Sequence, residues 1–235
     1  MKKLNLLFTA LLLLCCVGTA KAEEATIDGI KYDVVTKAKL ATVISGETKY
    51  SGDIVIPSEI TYNNVVYSVT SIGSYAFRGC RGLTSIVIGS SVTSIGERAF
   101  YNCSFTNIVI PAGATSIGRQ AFGSNRNLTE VTSLIPAENL FEVSNLISMT
   151  NAGKRNGIYK LYVPIGAKET YKATAGWNEF SEIIEVDLTA IDEVLDEVKS
   201  ESGKVKTVYY DLSGRVVENP TNGVYIIDGK KVLIK

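Results

Sequence analysis

The residue types that most often carry catalysis and metal binding are sparse in this sequence. There is no histidine among the 235 residues, and Cys80 and Cys103 are the only cysteines outside the first 22 residues. Without imidazole, the chain lacks the usual partner of a serine or cysteine nucleophile and the usual base at neutral pH. Two thiols alone also make an incomplete metal site. We therefore expect no enzymatic activity and no catalytic residue, metal or cofactor.

Carboxylates do not change that expectation. Glycoside hydrolysis needs two acids across a cleft, whereas the acids here are scattered. The acidic stretch 187–203 contains no Asp-x-Asp-x-Asp-Gly loop for calcium, and no glycine-rich phosphate loop is present. Lysine plus arginine equals aspartate plus glutamate at 24 each, so the net charge does not favour a nucleic-acid partner.

The first 22 residues are typical of a secretory signal peptide. Lys2 and Lys3 precede an apolar run from 4 to 17, and Ala20-Lys21-Ala22 supplies small residues for cleavage. The run is too short to cross a hydrocarbon core of roughly 30 Å, so we expect export and no transmembrane span. Lipid attachment at Cys15 or Cys16 stays open, although a small residue before the cysteine is missing.

The middle of the chain repeats a pattern every 22 to 23 residues. Ile-Gly-x-x-Ala-Phe occurs three times, beginning at Ile72, Ile95 and Ile117. Such a period is typical of a solenoid, in which equivalent apolar residues stack in columns. The expected columns contain Ile72, Phe77, Cys80, Leu83, Ile86, Ile88, Ile95, Phe100, Cys103, Phe105, Ile108, Ile110, Ile117, Phe122 and Leu128. The thiols fit this core as small apolar side chains, and a disulfide between them stays an alternative. The glycine after each isoleucine suits a residue that is free to take positive φ.

These repeats, with Leu-x-x-Ile-x-Ile before them and cysteine three residues after two of the phenylalanines, resemble the bacterial BspA-like leucine-rich repeat. The resemblance covers about residues 50–135 and implies an exported, often adhesive protein without catalytic activity in the repeats. Asn125 stands where a third cysteine would be.

The segments on either side of the repeats are interpreted as caps of the repeat stack. We expect a β cap with an imperfect first coil at 23–68, repeats at 69–135, and an insertion followed by a C-terminal cap at 136–186. Asn63-Asn64 predicts a hairpin turn, and Ile54-Val55-Ile56 the strand of the first coil. In the second cap, residues 161–164 predict one last strand and 167–174 a helix, with Trp177, Phe180, Ile183 and Ile184 at helical spacing. Trp177 is interpreted as a core residue, and a sugar-stacking platform is the alternative.

The fold class expected is therefore β-rich α+β: a short leucine-rich-repeat solenoid with caps, an acidic linker at 187–203, and a small antiparallel β tail at 204–235. Short β runs in that tail are separated by Ser-Gly, Asn-Gly and Asp-Gly turns, which predicts a meander of about four strands. The tail resembles the sorting domain of the type nine secretion pathway, through 210–215, 222–225 and 230–235. That resemblance implies a Gram-negative bacterium, secretion machinery as a partner of 204–235, and a location at the cell surface or outside the cell. A β appendage without a transport role, with the protein in the periplasm, is the alternative.

Outward positions of the repeat strands are the candidate contact face. Alternation along each strand places them opposite the core positions. They are Asp53, Val55, Ser85, Val87, Asn107, Val109, Glu130 and Thr132. Tyr75 and Tyr101 form a second possible patch. The sequence thus favours a surface module that binds a protein, matrix or glycan, while exposed valines are also simply good strand formers. A structural component of the bacterial envelope is the alternative function.

Overall fold

The computed structural model describes residues 22–147 and 159–188, together with the backbone of four short strands between 209 and 234. Residues 1–21 of the expected signal peptide and residues 189–203 of the expected linker lie outside this part of the chain. No helix among the described residues is long and apolar enough to cross a membrane.

Strands dominate the described residues, as expected for a β-rich chain. The only α-helix among them is α1 (Lys168–Ala173), and Tyr171 in this helix donates its hydroxyl to Ile135 O at 2.8 Å. The strands of residues 22–188 are β1 (Ala22–Ile27), β2 (Ile30–Val35), β3 (Leu40–Ile44), β4 (Ser51–Ile56), β5 (Glu59–Tyr62), β6 (Val65–Ile72), β7 (Gly82–Ile88), β8 (Ser94–Ile95), β9 (Asn107–Ile110), β10 (Ser116–Ile117), β11 (Glu130–Ser133), β12 (Lys160–Pro164) and β13 (Glu182–Val186).

The first sheet joins the N-terminal region to the repeats. Its strand order is β1-β2-β3-β6-β8-β10, with β5 also paired to β6. The first three strands are antiparallel, whereas β3, β6, β8 and β10 pair in parallel. The hairpin predicted at Asn63-Asn64 is confirmed: β5 and β6 are antiparallel, and both asparagines have positive φ (50° and 61°). Positive φ at both central residues is the conformation that a two-residue hairpin turn of this twist needs.

A second set of parallel strands alternates along the chain with the repeat strands of the first sheet. β4 pairs with β7, and β9, β11, β12 and β13 form a second parallel sheet in that order. The strand expected at Ile54–Ile56 is confirmed, since it lies opposite Ile86–Ile88. The strand expected at 161–164 is also present, but β13 follows it at the sheet edge. The helical spacing assigned to Trp177, Phe180, Ile183 and Ile184 is wrong: Ile183 and Ile184 are in a strand that pairs with β12, and Trp177 and Phe180 lie in the turn and bend before it.

Equivalent residues of successive repeats stack in the core. The rings of Phe77 and Phe100 are parallel with centroids 5.1 Å apart, and those of Phe100 and Phe122 are 5.6 Å apart. The structure buries all fifteen residues expected in the columns: Ile72, Phe77, Cys80, Leu83, Ile86, Ile88, Ile95, Phe100, Cys103, Phe105, Ile108, Ile110, Ile117, Phe122 and Leu128. Burial of side chains of this size is the main favourable term that holds the units together.

The repeat glycines have a different role from the one expected. Neither Gly96 nor Gly118 has positive φ. A Cβ on Gly96 would instead overlap the backbone nitrogen of Ser74 in the preceding unit. The positive φ values of the turn fall two residues later, at Tyr75, Arg98 and Gln120 (62°, 50° and 56°). Glycine is therefore required for close approach of two backbones rather than for an unusual φ.

The stack continues beyond the three obvious repeats. Gln120 N–H donates to Ser144 O, and Phe122 N–H to Leu146 O, in the same way that Phe100 N–H donates to Ala121 O. These hydrogen bonds join 143–147 to the repeats, whereas this segment was expected to belong to an insertion. Trp177 is fully buried and donates its indole N–H to Phe141 O at 2.8 Å, which leaves no ring face for a sugar.

The described tail strands are β14 (Tyr209–Tyr210), β15 (Val216–Val217), β16 (Gly223–Ile227) and β17 (Lys230–Ile234). All their pairings are antiparallel, as expected. Their order is β15-β14-β16-β17, so the sheet is not the simple meander that the turn spacing predicted.

Candidate functional site

Outward positions of the parallel strands form registered rows, which we call the sheet face. In the second sheet, Asn107 and Glu130 are neighbours in one row, and Val109 and Thr132 are neighbours in the next. All four are partly exposed. In the two-stranded sheet, Val55 lies beside Val87. Registry of this kind follows from the period-two alternation of strands that pair in parallel.

Ser85 does not belong to the accessible part of this face. Only 6% of Ser85 is exposed, and its hydroxyl donates to Asp53 Oδ1 at 2.7 Å. Thr84 donates to the same oxygen at 2.7 Å. The register shifts between Gly52 and Asp53, which brings Asp53 opposite Ser85. The expected contact residue Ser85 is therefore a buried partner of Asp53, which itself remains exposed.

The two outward valines of the central strands are partly covered from within the chain. Val87 and Val109 pack against a small cluster whose buried members are Leu134 and Leu188. Leu188 lies two residues beyond the end of β13, so the chain contacts Val87 and Val109 after its last strand in the second sheet. The valines are therefore partly core residues of this second cluster, and strand filling alone does not describe them.

The sheet face extends over two strands that sequence reasoning did not include. Lys160 and Glu182 continue the row of Glu130, while Tyr162 and Ile184 continue the row of Thr132. Tyr162 donates its hydroxyl to Glu130 Oε1 at 3.3 Å. Burial and the neighbouring Glu130 raise the pKa of Tyr162. The alternation in Leu161-Tyr162-Val163 was the signal that could have identified this extension.

The two cysteines are buried, free thiols rather than reactive groups. Burial raises the pKa of Cys80, and it raises the pKa of Cys103 to about 12, so both thiols stay protonated at neutral pH. Cys103 donates its S–H to Phe77 O at 3.0 Å. Within the described ranges, no three Cys, Asp or Glu side chains are grouped as metal ligands would be.

Asn125 continues the cysteine column as a hydrogen-bonding residue. It is fully buried, and its amide donates to Phe100 O and Phe122 O at 2.9 Å each. Its Oδ1 accepts the Cys103 N–H at 2.6 Å. Asn125 thus donates to Phe100 O in the same way that Cys103, one repeat earlier, donates to Phe77 O. This column therefore supplies donors to carbonyls of the preceding unit, a role that the purely apolar interpretation missed.

The second expected patch lies on the turns that contain the Ala-Phe pairs. Tyr75 is 39% exposed, and the guanidinium carbon of Arg78 lies 5.6 Å from its ring centroid. Arg98 lies over Tyr101 in the next repeat at 5.7 Å. The backbones of the two turns are joined, since Tyr75 N–H donates to Glu97 O and Gly79 N–H to Tyr101 O. Tyrosine and arginine thus alternate across adjacent units.

Comparison with known proteins gives a match to one family model and to several solved structures. Residues 57–154 match the model of the BspA type leucine rich repeat region in six copies. A leucine-rich repeat protein from Bacteroides capillosus is 23% identical over 60% of this chain and 97% of its own, with a TM-score of 0.46. One from Bacteroides ovatus is 22% identical over 68% and 53%, with a TM-score of 0.30. The pneumococcal vaccine antigen PcpA is 18% identical over 64% and 52%, with a TM-score of 0.41. No curated protein matches the chain.

Proposed function

We propose that this protein is a non-catalytic interaction module, exported and acting at the cell surface or outside the cell, because residues 57–154 match the model of the BspA type leucine rich repeat region. A signal peptide at 1–22 would supply the export. The module binds a protein, matrix component or glycan through its sheet face, and its buried residues serve the repeat stack rather than a reaction.

We propose further that the stacked units form a short solenoid. The N-terminal antiparallel strands cap one end, because they extend the sheet of β6, β8 and β10 with non-repeat sequence. Helix α1 and Trp177 cap the other end, where Tyr171 of α1 and Trp177 are fully buried. Atypical terminal units are the usual way in which a solenoid shields its end faces.

The observation that carries the proposal is the registry of outward side chains across four parallel strands. The row of Val109, Thr132, Tyr162 and Ile184 and the row of Asn107, Glu130, Lys160 and Glu182 lie side by side. The two rows combine apolar, aromatic and charged groups on one surface, which is held by the pairing of the four strands. A partner that contacts such a surface meets pre-positioned side chains, which lowers the entropic cost of binding.

The proposal is tested by measuring binding of the purified protein to a panel of extracellular-matrix proteins and to a glycan array. We expect saturable binding to at least one member, and Thr132→Glu should weaken it by at least tenfold. Thr61→Glu is the matched control, because Thr61 is an exposed strand residue of the first sheet. Absence of binding across the panel, or equal loss in both variants, would contradict the sheet face as a contact surface.

Envelope assembly is the second candidate function, and the edge of the sheet bears on it. Among the described strands, β13 is the last of its sheet, and it carries Glu182 and Glu185. Charged residues on an edge strand oppose pairing with another copy. This observation favours the interaction module, and sedimentation of the protein as a monomer at micromolar concentration would agree with it.

A further inference from the structure

We propose that the turns of the repeats form a second binding surface, separate from the sheet face, that takes an acidic polysaccharide. We call this surface the turn ridge and define it as residues 73–81, 96–104 and 118–126. The proposal rests on the interaction module proposed above and names the chemistry of one of its partners.

Charge is strongly segregated between the turn ridge and the sheet face. The ridge carries five arginines and one acid, Glu97, whereas the chain as a whole is neutral. The arginines are Arg78, Arg81, Arg98, Arg119 and Arg126, of which all but the partly exposed Arg98 are exposed. The outward positions of the sheet face carry Asp53, Glu130 and Glu182 against a single Lys160. A polyanion is therefore attracted to one surface and repelled by the other.

Two arginines of the ridge are held in place by neighbouring side chains. Arg78 lies over Tyr75 and Arg98 over Tyr101, and Arg98 also donates from Nε to Gln120 Oε1 at 2.7 Å. Stacking on a ring holds the Arg78 guanidinium plane while its N–H groups can donate to a carboxylate or sulfate. Arg98 is held more firmly, because its Nη1 also lies 3.6 Å from Glu97 Oε1. Successive units repeat at the spacing of the stacked phenylalanines, 5.1 and 5.6 Å. Each of the three units carries at least one arginine in its turn, so a linear polymer with anions along its length can contact arginines of successive units.

The same geometry disfavours other polyanions. Single-stranded nucleic acids gain much of their affinity from bases that stack on open aromatic faces, whereas arginines occupy faces of Tyr75 and Tyr101 here. An anionic membrane would require apolar groups to insert, and Tyr75 is the only large hydrophobic residue of the ridge that is exposed. The polyanion that the turn ridge binds is therefore a sulfated or uronate-bearing polysaccharide.

The test uses heparin oligosaccharide as the probe and the purified protein, with binding measured calorimetrically over a range of NaCl concentrations. We expect saturable binding that weakens as salt rises, because binding releases counterions from the polymer. Arg78→Gln/Arg119→Gln should weaken it about tenfold, as expected from losing two exposed charge-assisted contacts. Arg81→Gln/Arg126→Gln is a second variant with the same expectation, in case the first is destabilised.

Lys37→Gln/Lys172→Gln is the control pair, because it removes the same charge from exposed sites outside the ridge. Its affinity should stay within about twofold of the unmodified protein. No binding of heparin, equal loss in the control pair, or tighter binding of DNA or of phosphatidylserine vesicles would overturn the proposal. If heparin fails to bind while the sheet-face partner is still lost in Thr132→Glu, the ridge is refuted and the proposed function stands.

Discussion

Replacing Asn125 by alanine is expected to destabilise the protein through lost hydrogen bonds rather than through lost apolar contact. The side chain is fully buried and makes three hydrogen bonds that join two repeats: it accepts from Cys103 N–H and donates to Phe100 O and Phe122 O. Alanine leaves the N–H and the two carbonyls without this partner in a site that excludes water. The cavity left by the amide adds to the cost.

The magnitude follows from the number of groups affected. A net contribution of about 1 kcal/mol for each hydrogen bond gives roughly 3 kcal/mol, and a buried unsatisfied group costs about 1–3 kcal/mol where the backbone does not relax. Asn125→Cys should cost about half as much. The new S–H can donate to Phe100 O, as the Cys103 S–H donates to Phe77 O. The Cys103 N–H can then also donate to Phe100 O, as the Cys80 N–H donates to Phe77 O.

Urea unfolding followed by the fluorescence of the single tryptophan measures this difference. Trp177 is buried in the C-terminal part of the stack, so its emission reports loss of that packing. We expect the order wild type, Asn125→Cys, Asn125→Ala in falling free energy of unfolding. An Asn125→Ala protein within about 0.5 kcal/mol of wild type, which is the size of an ordinary surface substitution, would refute the reasoning. So would a cysteine variant as unstable as the alanine variant.

Three further predictions concern the close backbone contact at Gly96, the two thiols and the C-terminal tail. Gly96→Ala should destabilise the protein by more than about 2 kcal/mol, because its Cβ would overlap the backbone nitrogen of Ser74; Gly113→Ala, whose Cβ would lie 3.3 Å from Ser90 O, is the milder control in thermal unfolding. Cys80 and Cys103 should resist iodoacetamide at pH 8 and react once urea unfolds the chain, and because burial raises the pKa of Cys103 from 9.0 to about 12, its contribution to stability should be complete below pH 9 and be lost as pH rises toward 12; rapid labelling of the native protein would contradict this. Deleting residues 205–235 should retain the protein in the periplasm if the tail is a sorting signal, and immunodetection of the truncated protein in the culture medium would reject that role.

Features that repeat in the sequence were predictable, because repetition converts spacing into stacking. The phase of the Ile-Gly-x-x-Ala-Phe pattern placed Phe77, Phe100 and Phe122 in one column, and the rings stack there. Local turn chemistry was equally informative at Asn63-Asn64, where both residues adopt the expected positive φ. In each case a few neighbouring residues carry the constraint.

Features that depend on contacts between units were not predictable. Gly96 is needed because the backbone of the preceding unit approaches it, which no local pattern reveals. The spacing of Ile183 and Ile184 favoured a helix until pairing with β12 made the segment a strand. Val109 belonged to the candidate contact face, yet the contact with Leu188 comes from residues almost 80 positions later in the chain. Asn125 looked like a departure from the repeat, and only its partners show that it preserves the function of the column.

The division between buried columns and outward rows also explains why the two binding surfaces proposed above can occur on one small stack. Each unit exposes residues on its parallel strand and again at its turn, where positive φ occurs at Tyr75, Arg98 and Gln120. Substitutions at these outward positions leave the phenylalanine and isoleucine columns unchanged, so surface charge can vary without loss of the fold. The sheet face is accordingly rich in acids, whereas the turn ridge is rich in arginines. Because the surfaces share no side chains, the effects of Thr132→Glu and of Arg78→Gln/Arg119→Gln should add when the variants are combined.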